Sequence, residues 1–238
     1  MEGALLTPRR LRSSSCFVED DAGISIGRRS LAEGIGTAML MVAVVGSGMQ
    51  NADQPLSSAF AVVGALVGLI VALRAVSGGH FNPVITVLQW LSGQRGIDCT
   101  LAYVAAQVGG GLTGTILADL IFARPPGQPS LALPGIPSLA SEAFATFGLM
   151  LIVFCCSRSV GKLAGPLAVG AWLLGAIVST PTGSIANPAV AVSLLAAPSS
   201  ASVVSTAALL LVQFAGGGLA LRCASVLYPA GEVRDPND

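Results

Sequence analysis

A motif that starts a helix directly out of a loop occurs twice in this chain, once in each half, and both copies sit among residues apolar enough for a lipid bilayer. The first reads Ser77-Gly78-Gly79-His80-Phe81-Asn82-Pro83-Val84 and the second Gly183-Ser184-Ile185-Ala186-Asn187-Pro188-Ala189-Val190. Asn is a strong N-cap residue and Pro fits the first helical turn, so each Asn-Pro after a run of small residues predicts a helix that begins abruptly there. Two such starts point to half-helices that meet inside a membrane.

Of 238 residues, 53% are hydrophobic and 10% charged, with a mean hydropathy of +0.78. That balance belongs to a polytopic helical membrane protein rather than a soluble domain. Six apolar runs can be read, at Ser30 to Val45, Ala59 to Leu73, Leu101 to Phe122, Leu139 to Cys156, Leu163 to Val178 and Ala201 to Leu221. If both termini face the cytoplasm, the inner segments hold Arg9, Arg10, Arg12, Arg28, Arg29, Arg74, Arg95, Arg158, Lys162, Arg222 and Arg234, against Arg124 alone outside, a clear positive-inside bias. Residues 1–29 carry basic and acidic clusters and Ser13-Ser14-Ser15 without a sustained apolar stretch, so they read as a flexible cytoplasmic tail and not a secretory signal. Residues 229–238 read as a C-terminal tail. Cys16, Cys99, Cys155, Cys156 and Cys223 lack ligand-type spacing and imply neither a disulfide framework nor a metal site. The adjacent pair Cys155 and Cys156 reads as small core residues.

The halves follow one plan. Glu33 opens the first span and Glu142 the fourth, each followed by a second span and then by an Asn-Pro loop. The third spans of the two halves also match, as Gln107-Val108-Gly109-Gly110-Gly111 and Gln213-Phe214-Ala215-Gly216-Gly217-Gly218. Three spans per half is an odd number, so the second half enters the membrane from the opposite side. The result is an inverted repeat with its functional centre near the midplane, repeat one at about 30–122 and repeat two at about 139–228 of one domain covering 30–228. The Pro-rich segment Ala123 to Ser138 reads as a semi-rigid tether between them.

Paired Asn-Pro motifs in inverted repeats resemble the major intrinsic proteins, the aquaporins and aquaglyceroporins. The resemblance runs from about Ser30 to Leu227 and implies an all-α polytopic fold of six transmembrane helices and two re-entrant half-helices. It implies that Asn82 and Asn187 meet at mid-membrane and offer amide hydrogen bonds to a solute oxygen, within the motifs Asn82-Pro83-Val84 and Asn187-Pro188-Ala189. The half-helix N-termini behind them each carry roughly +0.5 charge, which opposes cations and leaves neutral hydroxylated solutes free to pass. Glu33 and Glu142 are expected to accept hydrogen bonds from the backbone of the re-entrant loops, and His80, the only histidine, is expected to support the first loop.

The constriction departs from the resemblance. Typical members have Arg after the second Asn-Pro-Ala, where this chain has Val190. Ungapped offsets from the motifs carry the remaining filter positions to Val62, Gly175 and Ser184. The expected ring of Val62, Gly175, Ser184 and Val190 is wide and weakly polar, suited to water and bulkier neutral solutes: glycerol, urea, or neutral metalloid hydroxides such as arsenite. Val in this position also resembles the bacterial aquaglyceroporins associated with arsenic resistance. Val84 and Ala191 depart from the family pattern as well and argue against strict glycerol selectivity.

The reading is therefore a passive channel with no cofactor, no metal and no nucleic-acid partner, a multi-pass protein of the inner (plasma) membrane. By resemblance it is a homotetramer embedded in the lipid bilayer. Two other classes stay open on the sequence alone: a secondary transporter, which also uses inverted repeats, and a weakly conducting structural or junctional member of the same fold. An enzyme lacks any nucleophile, base or metal constellation to build on.

Overall fold

Each of the six apolar runs becomes a helix, and each Asn-Pro starts a short one. The computed structural model describes residues 16–21, 23–51, 53–123, 134–159, 161–197 and 202–229. Its elements in order are α1 (Ile26–Gln50), α2 (Pro55–Ser77), α3 (Pro83–Leu91), α4 (Ile97–Ile121), α5 (Ile136–Ser159), α6 (Ala164–Ser179), α7 (Pro188–Ser193) and α8 (Val203–Leu227). Five of these are long and apolar enough to cross a membrane. The sixth apolar run forms α6, whose 16 residues extend about 24 Å at 1.5 Å per residue. Large apolar side chains such as Leu101, Leu120 and Leu211 point outward, as they do on a lipid-facing surface.

Within each half, the first and third helices of the repeat touch backbone to backbone. A Cβ on Gly110 or Gly114 of α4 would collide with the carbonyls of Gly34 or Ala38 on α1, and one on Gly216 of α8 with that of Ala143 on α5. Small residues at these crossings replace the missing hydrophobic drive between helices in lipid with close van der Waals packing. The half-helices then interlock the repeats: α3 packs on α8 and α5 as well as on its own α4, and α7 packs on α4 and α1 as well as on α8.

The tail expected over 1–29 differs from what is found. Cys16 and Phe17 are fully buried against the helices, and α1 already begins at Ile26 after a Ser25 cap that accepts a hydrogen bond from the Arg28 N–H. The reason is complementarity: Glu19 pairs with Arg29 and Arg95, and Asp20 pairs with Arg74 and Lys162, so two carboxylates fasten the segment to four cations beside the buried Cys16 and Phe17. Ser13-Ser14-Ser15, Arg9, Arg10, Arg12, Arg124, Arg234, most of the Pro-rich tether and the C-terminal tail beyond residue 229 lie outside the described residues.

Candidate functional site

The two Asn-Pro loops meet and exchange hydrogen bonds. Asn82 and Asn187 are both N-caps with extended backbone, φ −149° and −153°. The Oδ1 of Asn82 accepts from the Val84 N–H at 2.9 Å and that of Asn187 from the Ala189 N–H at 3.0 Å. Their amide nitrogens reach across: Asn82 Nδ2 donates to the Ala186 carbonyl at 2.9 Å, and Asn187 Nδ2 donates to the Phe81 carbonyl at 2.8 Å. Both accepting residues hold positive φ, 49° at Phe81 and 42° at Ala186, a strained conformation for residues with a Cβ. That strain turns each carbonyl toward the opposite loop. An Asn amide has two N–H donors, so each residue keeps one after the exchange, and both line the central cavity.

Two buried carboxyl groups hold the loops in place with matching geometry. Glu33 accepts from Ser77 Oγ at 2.6 Å, the His80 N–H at 3.0 Å, the Phe81 N–H at 2.7 Å and Gln107 Nε2 at 2.8 Å. Glu142 accepts from Thr182 Oγ1, the Ile185 N–H at 2.9 Å, the Ala186 N–H at 2.8 Å and Gln213 Nε2 at 2.8 Å. Each carboxyl thus ties a loop to the first and third helices of its own half. Ser77 and Thr182 occupy the same offset before their Asn residues, a signal the repeat contained and the motif reading passed over.

His80 is buried, with Nε2 at 2.9 Å from the Phe17 carbonyl and Nδ1 at 2.9 Å from the Thr86 hydroxyl. A carbonyl only accepts, so Nε2 carries the hydrogen of that bond. Gln89 Nε2 donates to the same Phe17 carbonyl at 2.8 Å, and Gln89 Oε1 accepts from Arg95. Neither Phe17 nor Gln89 stands out in the sequence as a site residue.

A cavity of about 270 Å³ runs past the two Asn residues. A water molecule's share of the liquid is about 30 Å³, so the cavity holds several small molecules. Along α2 its wall is Ser58, Val62, Leu66 and Ile70 in order, and His80 and Phe17 also line it. Ser47, Gly48 and Thr182 line it as well, and among the described residues no Asp, Glu, Lys or Arg does. Val62, Ser184 and Val190 are on the wall. The Ser184 hydroxyl is buried with no hydrogen-bond partner among the described residues. Val190 is 5% exposed and packs with Met41, Val45 and Ala118.

Gly175 is not on that wall. Helix α6 turns Val169, Leu173 and Ile177 to the cavity, an i, i+4, i+8 stripe, and Gly175 lies two positions from Leu173 and from Ile177, close to the opposite side of the helix. It is exposed, and a Cβ there would meet nothing within 4 Å. The α6 residue nearest the second Asn-Pro loop that faces the cavity is Ile177. Val84 also stands off the wall: it is fully buried and points at α8, where a Cβ on Gly217 would come within 2.6 Å of it. The Ala-to-Val departure in the first motif is therefore accommodated by helix packing and leaves the cavity surface unchanged.

Residues 22–198 match the family model described as Major intrinsic protein. The chain is 39% identical over 172 residues to the aquaglyceroporin AqpS of Rhizobium meliloti (strain 1021), a match covering 69% of this chain and 73% of that protein. It is 35% identical over 175 residues to aquaporin NIP1-1 of Zea mays, covering 68% of this chain and 62% of that one. Among solved structures, the aquaglyceroporin from Plasmodium falciparum superimposes with a TM-score of 0.70 over 86% of this chain and 98% of that chain. At 17% identity that likeness speaks for the fold alone.

Proposed function

This chain belongs to the major intrinsic protein family, a family of passive membrane channels and not of enzymes, and from that premise we propose that it conducts water and small neutral hydroxylated solutes through a wide filter that has no Arg. The observation that carries this reading is the cavity itself: two Asn amides at its centre, an unpartnered Ser184 hydroxyl toward one end, and apolar walls without a charged side chain. A neutral polyol finds donors along such a wall, while an ion finds no counter-charge to replace its water. Val62, Ile177, Ser184 and Val190 form the ring in this reading, with Ile177 in the place that the offset gave to Gly175.

Glycerol, urea and uncharged metalloid hydroxides such as arsenite are the solutes that a ring of this character admits. AqpS is named as an aquaglyceroporin, which supports the larger members of that set. Both termini are assigned to the cytoplasm of a plasma membrane, on the positive-inside bias of Arg28, Arg29, Arg74, Arg95, Arg158, Lys162 and Arg222. The assembly is assigned as a homotetramer by family.

The test is stopped-flow permeability of proteoliposomes to water, glycerol and neutral arsenite for wild type and Val190→Arg. The expected result is that wild type passes the larger solutes and the Arg variant loses them while retaining water. A wild type that passes water alone overturns the wide-filter assignment.

A further inference from the structure

Residues 16–21 lie ahead of residue 22, where the match with the family model begins, yet Cys16 and Phe17 are buried and Glu19 and Asp20 are paired with cations. We propose that this segment is a built-in plug that closes the channel from the face carrying the N-terminal segment, with Phe17 as the stopper and Glu19 and Asp20 as its latches. The inference rests on the channel reading of the cavity.

Phe17 is 1% exposed and lines the cavity, as do Ile70 and His80. Its backbone sits at φ 60°, a left-handed conformation that a residue with a large side chain rarely takes. His80 of the first Asn-Pro loop and Gln89 of α3 hold its carbonyl. The seat is shaped for it from both halves: a Cβ on Gly78 would lie 2.7 Å from the Phe17 carbonyl oxygen, and one on Gly165 would lie 2.8 Å from Cys16 Sγ and 3.2 Å from the Phe17 ring. The Ser157 hydroxyl donates to the Cys16 carbonyl at 3.1 Å, and the Asp20 N–H donates to the Ala75 carbonyl at 3.1 Å.

The latches draw on four separate places in the fold. Glu19 bridges Arg29 of α1 and Arg95 of the α3–α4 turn, with an oxygen 3.0 Å from Arg95. Asp20 bridges Lys162 of the α5–α6 turn at 2.7 Å and Arg74 of α2 at 3.4 Å. A solute leaving by this end must displace Phe17. The segment is short and carries no regular structure, and it is tied by the largely buried Glu19 pairs, the exposed Asp20 pairs and one aromatic anchor, so it can lift without unfolding a helix. Burial also pushes the Cys16 thiol pKa above its ordinary value, which makes that thiol a reporter of the seated state.

The experiment uses the full chain in proteoliposomes: wild type, Phe17→Ala, and the double variant Glu19→Gln/Asp20→Asn. Water permeability is measured by stopped flow, and N-ethylmaleimide labelling of the Cys16 peptide is followed by mass spectrometry. The expected result is a rise of roughly tenfold or more in permeability in both variants, with Cys16 labelled slowly in wild type and fast in the double variant. Phe17→Ala keeps every latch, so it reads the stopper even where loss of the latches harms folding. Equal permeability in all three proteins overturns the proposal, as does a Cys16 that is already fully reactive in wild type. If wild type conducts freely and is unchanged by release of Cys16, the plug fails and the channel stands; if Cys16 is released and no protein conducts, both readings fail.

Discussion

Replacing Glu142 with Gln turns one of two carboxyl oxygens into an amide nitrogen at a place where four donors converge. In wild type those donors are the Thr182 hydroxyl, the N–H groups of Ile185 and Ala186, and the Gln213 amide. The surviving oxygen can serve two of them, and the new NH2 faces the other two with hydrogens of its own. Each buried donor left without an acceptor costs about 1–3 kcal/mol, so the substitution removes about 2–6 kcal/mol, a large part of a typical total of about 5–15 kcal/mol. In a chain of this length each kcal/mol moves the melting temperature by about 2–4 °C. The expected fall is therefore roughly 5–20 °C in detergent micelles, accompanied by lower permeability, because Ala186 is also the acceptor for Asn82. Glu33→Gln should give a fall of the same size, since its donors are the same four types of group in the other half. A Glu142→Gln protein that melts within about 2 °C of wild type and conducts normally would refute the assignment of these carboxyl groups as loop supports.

Three further outcomes follow from the packing. Gly114→Ala should lower thermal stability and yield, because its methyl group meets the Ala38 backbone, whereas Gly109→Ala, which meets nothing within 4 Å, should be neutral or raise stability by up to about 1 kcal/mol through helix propensity; thermal melts of the two compared with wild type decide it. Ile177→Trp should sharply reduce glycerol flux while Gly175→Trp leaves it near wild type, and the reverse order in a stopped-flow assay would restore Gly175 to the ring. Asn82→Ala and Asn187→Ala each remove a helix cap worth about 0.5–2 kcal/mol, and because their loops share the crosswise bonds, the double mutant should depart from additivity by at least about 0.5 kcal/mol in denaturation experiments.

The membrane architecture was legible because the signals behind it are redundant. Asn-Pro, the paired Glu33 and Glu142, and the matching Gln107 and Gln213 each appear twice, and the structure gathers all of them around one centre. Val62, Ser184 and Val190 could be carried to the cavity wall by offset because the stretches between them and their motifs keep helical or loop register. Gly175 could not, since the residues between α6 and Asn187 form an irregular loop, and a single residue gained or lost there rotates the helical face by about 100°. Phe17 left no pattern to read. One aromatic residue between a cysteine and a valine has no period, and its partners His80, Gln89 and Gly165 are scattered over both halves. The acidic pair Glu19 and Asp20 reads as a solvated run until Arg29, Arg74, Arg95 and Lys162 are seen to converge on it.

The crosswise amide bonds also set an order in time. Asn82 is synthesised and inserted long before Ala186, whose carbonyl it needs, and Phe81 must wait equally long for Asn187. A nascent chain halted after α4 therefore holds a polar loop deep in the bilayer with its donor unanswered and its strained carbonyl facing nothing. Only the arrival of the second half, from the other side of the membrane, supplies both missing partners at once. The centre of the pore is consequently completed late, once the loop that carries Ala186 and Asn187 has entered the membrane.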